Sequence, residues 1–202
     1  MKLLIASKNR GKVVEIRALL GFALQRVVEV VTLAELPDID QPRENGRTFA
    51  ENARIKALHY AKAHKILCIA DDSGLAVDAL GGLPGVRSAR FAGEGVSDAV
   101  NNAHLLHELA PFAPPWKAAF VCVAAAALPN RVVAEATGRM EGEILPKGRG
   151  RDGFGYDPLF YVPSLGKTMG ELSTEEKNRI SHRGQALRAL ITEMKAAGLL
   201  LT

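Results

Sequence analysis

The chain reads as an α/β protein built on a mixed sheet, and three observations lead there. Apolar runs of strand length alternate with amphipathic helical stretches through the first half, the order that builds parallel strands with crossover helices. Two long extended runs, residues 117–128 and 131–145, then follow with only Pro129 and Asn130 between them. Such a hairpin favours a mixed over an all-parallel sheet. The 202 residues are 48% hydrophobic and 24% charged, too apolar for a disordered chain and long enough to bury about 70% of the unfolded surface. That size corresponds to one substantial domain or to two small lobes sharing a core.

In chain order, residues 2–6 form a short buried strand. Ser7-Lys8-Asn9-Arg10-Gly11-Lys12 leads into a helix through Leu20, with Val13, Ile16, Leu19 and Leu20 on one side and Gly21 as its stop. A second strand covers residues 27–31, and 36–46 is a polar loop. Thr48 and Glu51, three apart, spell a capping box for a helix reaching about His64, with Ala53, Ala57, Leu58 and Ala61 inward. Residues 66–70 form the next strand, ending at Asp71-Asp72-Ser73-Gly74. Beyond the glycine-rich stretch 81–85, Ser97 caps a helix through Leu109, which Pro111, Pro114 and Pro115 end. The Ala-rich run 118–129 is about strand length and is expected buried. Residues 147–158 make a long turn-forming loop. Ser173, with Glu176 three on, starts a short helix, and Ser181 caps a last one carrying Leu187, Leu190, Ile191 and Met194 at helical spacing.

The opening run 3–6 is far too short for a signal peptide's apolar region or a membrane span, so the expected location is the cytoplasm, with no membrane partner. Cys68 and Cys122 sit inside apolar runs and read as small core residues. With 26 Lys+Arg against 22 Asp+Glu the formal charge is +4, too small a balance by itself to make a nucleic-acid-binding domain.

Five constellations bear chemistry. Residues 7–12, between strand and helix, offer backbone N–H groups at a helix N-terminus, a hydroxyl, an amide and three cations. That set holds phosphate oxygens, although a solvated basic turn uses the same residues. It is not a Walker A loop, whose spacing is absent. Asn52 and Lys56, four apart, share a helix face near Glu51 and Glu44, where a solvated polar stripe is the alternative. Asp71-Asp72 follows directly on an apolar strand, where ligands of α/β sheets gather. Adjacent carboxylates raise each other's cost of ionising unless a cation joins them, and Mg²⁺ is the usual hard partner alongside substrate phosphates. A carboxylate left free could deprotonate water; a helix cap or turn would also use these residues. Gly153-Phe154-Gly155-Tyr156-Asp157-Pro158 allows close backbone approach, with Phe154 and Tyr156 to line a planar ring and Asp157 to read its edge, or forms a structural turn. In residues 177–183, His182 and Arg183 fall in a first helical turn, which opposes the helix dipole and suits an anionic ligand. The other histidines, 59, 64, 104 and 107, occupy ordinary helix positions without zinc-site spacing. Together these signals describe a nucleoside triphosphate hydrolase.

The motifs Ser7-Lys-Asn-Arg-Gly-Lys12, Gly46-Arg-Thr-Phe49, Glu51-Asn-Ala-Arg-Ile-Lys-Ala57, Asp71-Asp-Ser-Gly-Leu75, Ala79-Leu-Gly-Gly-Leu-Pro-Gly-Val86 with Ser88-Ala-Arg90, Phe154-Gly-Tyr-Asp-Pro158 and Lys177-Asn-Arg-Ile-Ser-His-Arg183 make the sequence similar, nearly end to end, to the inosine/xanthosine triphosphate pyrophosphatase family, also called Ham1-like. The resemblance implies a single catalytic domain over residues 1–202, with an elongated mixed sheet flanked by helices and two lobes with a central nucleotide cleft. It implies Mg²⁺-dependent hydrolysis of ITP, dITP and XTP at the α–β bond by a homodimer that clears these aberrant purines, with no stable nucleic acid partner. By the same resemblance Asp72 accepts the proton of water and ligates metal, and Ser73 contacts substrate. Ser7, Lys8, Asn9, Arg10, Gly11 and Lys12 hold the phosphates with Asn52 and Lys56. Phe154, Gly155, Tyr156, Asp157, Lys177, His182 and Arg183 meet the base and sugar side.

Two departures stand out. Ser7 replaces the frequent Thr and keeps its hydroxyl. Arg43-Glu44-Asn45-Gly46 replaces Glu-Glu-Thr-Gly, so Arg43 stands at an acidic ligand position that Glu44 or Asp40 would cover. Asp72, Asp71 and Glu44 are therefore the expected metal contacts. The alternatives are a Maf-type nucleotide pyrophosphatase with other base preference and a nucleic-acid-binding module using the basic stretch 147–151. Sparse aromatics, 5% of the chain, count against the module.

Overall fold

In the computed structural model, which describes residues 2–24 and 28–200, the strands are β1 (Lys2–Ile5), β2 (Glu29–Thr32), β3 (Leu67–Val77), β4 (Trp116–Leu128), β5 (Arg131–Ile144), β6 (Phe160–Val162) and β7 (Lys167–Thr168). They form one sheet in the order β2-β1-β3-β4-β5-β6-β7. β1 is parallel to β2 and β3, whereas β6 is antiparallel to β5 and β7, so the sheet is mixed as expected. The helices are α1 (Arg10–Leu24), α2 (Phe49–His64), α3 (Asp98–Leu109), α4 (Thr174–Ile180) and α5 (His182–Ala196). Among the described residues no helix is long and apolar enough to cross a membrane.

The chain divides into two compact units, one of Met1–Asp72, Cys122–Gly138 and His182–Thr202, the other of Ser73–Val121 and Arg139–Ser181. In the first, strand alternation sorts the side chains into two apolar layers. Leu3 and Ile5 of β1, Leu67 and Ile69 of β3, and Cys122, Ala124 and Ala126 of β4 pack with α1 and α5 through Ile16, Leu20, Leu187, Leu190 and Met194. The intervening Leu4, Ala6, Cys68, Ala70, Val123, Ala125 and Ala127 pack on the other face with Ala53, Ala57, Tyr60 and Ala61 of α2. Helices on both faces explain why β4 is apolar without alternation and built of small residues: a strand covered on both sides has no polar side. In the second unit, Leu105 and Leu109 of α3 join Leu75, Val77, Trp116, Phe120, Met140 and Phe160 in one cluster.

Local signals were accurate where they were chemical. Thr48 accepts from the Glu51 N–H while the Glu51 side chain returns to the Thr48 N–H, and Ser97 and Ser173 cap α3 and α4 as expected. Several boundaries shift, three of them informatively. α1 passes through Gly21 to Leu24, because an interior glycine costs only about 1 kcal/mol and the packing of Ile16 and Leu20 outweighs it. β2 begins at Glu29, and Val27, the expected start, lies outside the described residues. β3 does not end at Ala70 but continues through Asp71 and Asp72 to Val77, which removes the helix-cap and turn readings of that pair.

Close packing requires a glycine at position 138. A Cβ on Gly138 of β5 would overlap the His182 carbonyl oxygen and the Ala186 amide of α5, whereas among the described residues nothing lies within 4 Å of a Cβ on Gly21. Gly138→Ala is therefore expected to destabilise the protein by about 1–3 kcal/mol. Gly21→Ala should stabilise it by up to about 1 kcal/mol. Urea unfolding of the two variants beside wild type measures both.

Candidate active site

The site of the first unit follows from the alternation of β3. Asp71 continues the series Leu67, Ile69 on the α1 and α5 face, while Asp72 continues Cys68, Ala70 on the α2 face. The two carboxylates thus leave β3 on opposite faces, and each accepts hydrogen bonds from its own donors, although Lys12 and Lys56 act electrostatically on both.

Asp71 is 2% exposed. Its Oδ2 accepts from Lys12 Nζ at 2.9 Å and from Arg183 Nε at 3.4 Å, while Arg183 Nη1 also donates to the buried Glu15. Burial alone would raise its pKa, but Lys12, Arg183 and Lys56 override it and hold the carboxyl far below the ordinary range. Burial works against the Arg183 charge too, and Asp71 and Glu15 more than offset it. Oδ1 of Asp71 is buried without a hydrogen-bond partner. The Cys122 thiol, pushed up by burial and by Asp71, stays protonated and points its sulfur at Oδ2, 3.8 Å away.

Asp72 is held differently. Lys56 Nζ donates to its Oδ1 at 3.0 Å and Asn52 Nδ2 to its Oδ2 at 3.2 Å. Asn52 is itself fixed, accepting the Gly46 N–H at 2.9 Å. Lys56 also meets Glu44 at 3.1 Å. Burial raises the Asp72 pKa above the ordinary carboxylate value, and the opposing pull of Lys56 and Lys12 does not cancel it. Each Asp72 oxygen keeps a lone pair for water or a cation. Asp72 and Glu44, both on Lys56, are the carboxylates that converge; Asp40 is exposed, and its backbone carbonyl meets His59 Nε2 at 2.7 Å. Among the described residues no group of three or more His, Cys, Asp or Glu side chains gathers into a metal cage.

The 7–12 loop enters α1 as the sequence indicates. Asn9 Oδ1 accepts the Lys12 N–H at 3.1 Å, capping the helix, and Ser7 Oγ accepts the Asn9 N–H at 3.2 Å. Lys8 is exposed and paired with Asp38 at 3.1 Å; Arg10 is exposed, and Gly11 is half-buried in the first turn. His182 is buried, and that burial, with Arg183 beside it, lowers its pKa well below the usual value and keeps the ring neutral.

In the second unit, Asp157 Oδ2 accepts from Lys177 Nζ at 2.9 Å and from the Phe154 N–H at 3.2 Å. Gly153, with φ of +89°, passes so close that a Cβ there would collide with both the Asp157 carboxylate and the Lys177 ammonium. The expected ring platform is reduced to the half-buried Phe154. Tyr156 is 5% exposed within the apolar cluster, and its hydroxyl donates to the Ser88 carbonyl at 2.9 Å. Ser73 opens this unit on β3 and is half-buried.

Sequence reasoning missed Glu15. Its signal was a carboxylate next to Ile16 on the buried side of α1, a position that demands a cation.

A profile described as the Ham1 family matches residues 3–193. A dITP/XTP pyrophosphatase of Geobacillus kaustophilus is 50% identical over 190 residues, 94% of this chain and 92% of that protein. Another from Desulforamulus reducens is 50% identical over 93% and 92%. Among solved structures, the Staphylococcus aureus Ham1 protein is similar with a TM-score of 0.82 at 42% identity, covering 98% of this chain and 100% of the other. A HAM1 protein from Coxiella burnetii gives 0.83 at 40% identity, with 97% and 99% covered.

The buried Asp71 also makes a stability prediction. Its folded pKa lies below the unfolded value near 4, so its contribution is complete at neutral pH and is lost as the pH falls below about 4. Asp71→Asn should cost about 3–5 kcal/mol at pH 7, because the part-buried Lys12 loses its carboxylate and the buried Arg183 keeps only Glu15. It should also flatten the acid limb of a stability profile measured by urea unfolding between pH 3 and 7.

Proposed function

The chain belongs to the Ham1 family, and from that premise we propose that it is a nucleoside triphosphate pyrophosphatase. It hydrolyses dITP, XTP and ITP at the α–β phosphoanhydride bond to the monophosphate and pyrophosphate, and so clears aberrant purines from the nucleotide pool. The observation that carries this reading is the unequal treatment of two neighbouring carboxylates. Asp71 is locked as a counter-ion, whereas Asp72, held by Asn52 and Lys56 with its pKa raised, is fitted to take a proton from water.

The residues divide the work. Asp72 orients the attacking water and accepts its proton. Lys56 and Lys12, with Ser7, Lys8, Asn9, Arg10 and the Gly11 backbone, supply positive charge and N–H groups to the phosphates as negative charge moves onto the leaving group. Arg183 acts through Asp71 on the direction of Lys12, and neutral His182 offers a hydrogen bond without adding charge. The base and sugar fall to Ser73, the 154–157 loop and Lys177.

Mg²⁺ fits the donor set, since Asp72 and Glu44 converge as two hard carboxylates and this ion usually takes one or two of these alongside substrate phosphates. Bound there, it would supply Lewis-acid stabilisation to the phosphate oxygens. A single catalytic domain and a homodimer are carried forward from the resemblance, and light scattering on the purified protein tests the dimer.

Ion-exchange analysis of products from dITP, XTP, ITP, dATP, dTTP and UTP with Mg²⁺ decides the function. Pyrophosphate with the monophosphate from the first three is expected, and EDTA should abolish it. Release of single phosphate, or preference for dTTP and UTP, overturns the assignment. Asp72→Asn should keep the fold and lose about 10²–10⁴-fold in kcat; full turnover in that variant removes Asp72 from its role.

A further inference from the structure

The 154–157 loop is gripped from α3 by residues that the sequence did not single out. Ser97 caps this helix, its side chain accepting the Val100 N–H. Asp98 Oδ2 accepts the Gly155 N–H at 2.7 Å, and Asn102, one turn further on the same helix face, donates from Nδ2 to the Gly155 carbonyl at 3.0 Å. Both backbone polar groups of Gly155 are therefore taken by one helix.

The same helix fixes a second segment. Asn101 accepts the Ala92 N–H at 2.9 Å and donates to the Ala89 carbonyl at 3.2 Å, and the His104 ring lies 4.7 Å from that of Phe91. This holds the short 3₁₀ turn Gly85–Arg90, whose Ser88 carbonyl receives the Tyr156 hydroxyl. Ser88 Oγ is in turn fixed between the Leu75 N–H and the Gly85 carbonyl. Gly155 and Tyr156, consecutive residues, are thus pinned by two elements that α3 itself joins. Phe154 and Asp157 flank the pinned pair. A glycine-bracketed loop without such grips has many backbone states, and hydrogen bonds at both groups of one peptide residue remove most of them.

We propose that Asp98 and Asn102 are positioning residues for base selection. By clamping Gly155 they set Phe154 and Asp157 at the angle where a 6-keto purine is accepted and a 6-amino purine is refused. This rests on the assignment of the base to the 154–157 loop. Both residues hold the loop and neither belongs to the set assigned to the phosphates, so their loss acts on binding and selectivity and not on the chemical step.

The test measures kcat and KM for dITP and dATP in Asp98→Ala, Asn102→Ala, Asp98→Asn, Ser97→Ala and Phe154→Ala, with thermal unfolding of each. Asp98→Ala and Asn102→Ala are expected to raise KM for dITP about tenfold, to change kcat by less than about twofold, and to lower the dITP-to-dATP ratio of kcat/KM. Asp98→Asn keeps an acceptor for the Gly155 N–H and should restore most of the selectivity. Ser97→Ala weakens the same helix without touching the loop and should lower the melting temperature while leaving KM and the ratio intact. Equal kinetic damage from Ser97→Ala makes the role merely structural and overturns the proposal. So does a wild-type KM and ratio in Asp98→Ala and Asn102→Ala when Phe154→Ala raises KM. If Phe154→Ala leaves KM for dITP unchanged, the loop does not meet the base, and both the assignment and the proposal fall.

Discussion

A carboxylate buried in the middle of a strand must bring its counter-charges with it, and much of the first unit is arranged around that demand at Asp71. An unpaired charge at that depth is prohibitive, so it either neutralises or recruits cations. Asp71 recruits two, Lys12 from the first turn of α1 and Arg183 from the first turn of α5. Arg183 in turn is balanced by Glu15 on α1. Three segments distant in sequence are thereby tied at one atom, and the close approach of α5 to β5 is completed by the missing side chain at Gly138.

What Asp71 absorbs, Asp72 is spared. Strand alternation sends it to α2, where Lys56 is shared with Glu44 and the second oxygen is met by a neutral amide. A carboxylate that accepts from one shared lysine and a neutral amide keeps a higher pKa than one that accepts from both a lysine and a guanidinium, which is the ordering the structure displays. The adjacent pair of aspartates is therefore not one acidic site but two environments on opposite faces of a single strand, and only one of them is suited to proton transfer.

Capping chemistry and apolar runs were legible because each depends on neighbours in sequence. Thr48 with Glu51, Ser173 with Glu176, and the continuous apolar run of β1 needed nothing from the rest of the chain. The passage of β3 through Asp71 and Asp72 did, since the cations that permit it stand 59 and 112 residues from Asp71. A pair of aspartates without visible partners reads as a strand end. Strands β6 and β7, of three and two residues, are too short to show any period. Tyr156 looked like part of a ring platform because composition reports that a residue is aromatic, not that its hydroxyl is taken by a carbonyl 68 residues away. Asp98 and Asn102 escaped notice for the same reason: on a helix that needed only Ser97 to begin, polar residues near the start look like solvated surface.

The small net charge of +4 takes on a different meaning once its cations are located. Lys8, Lys12, Lys56, Lys177 and Arg183 each already face a carboxylate. Paired cations exert little pull on a distant polyanion, so these five act on what enters their own sites. A short polyanion that takes Lys56 for its own oxygens leaves Asp72 and Glu44 facing fresh negative charge, and that is repulsive unless positive charge arrives with it. On the proposed function, a triphosphate that carries a divalent cation would meet that demand and a bare one would not. On that function, a preference for the metal-loaded nucleotide would follow from the sharing of Lys56 by Glu44 and Asp72.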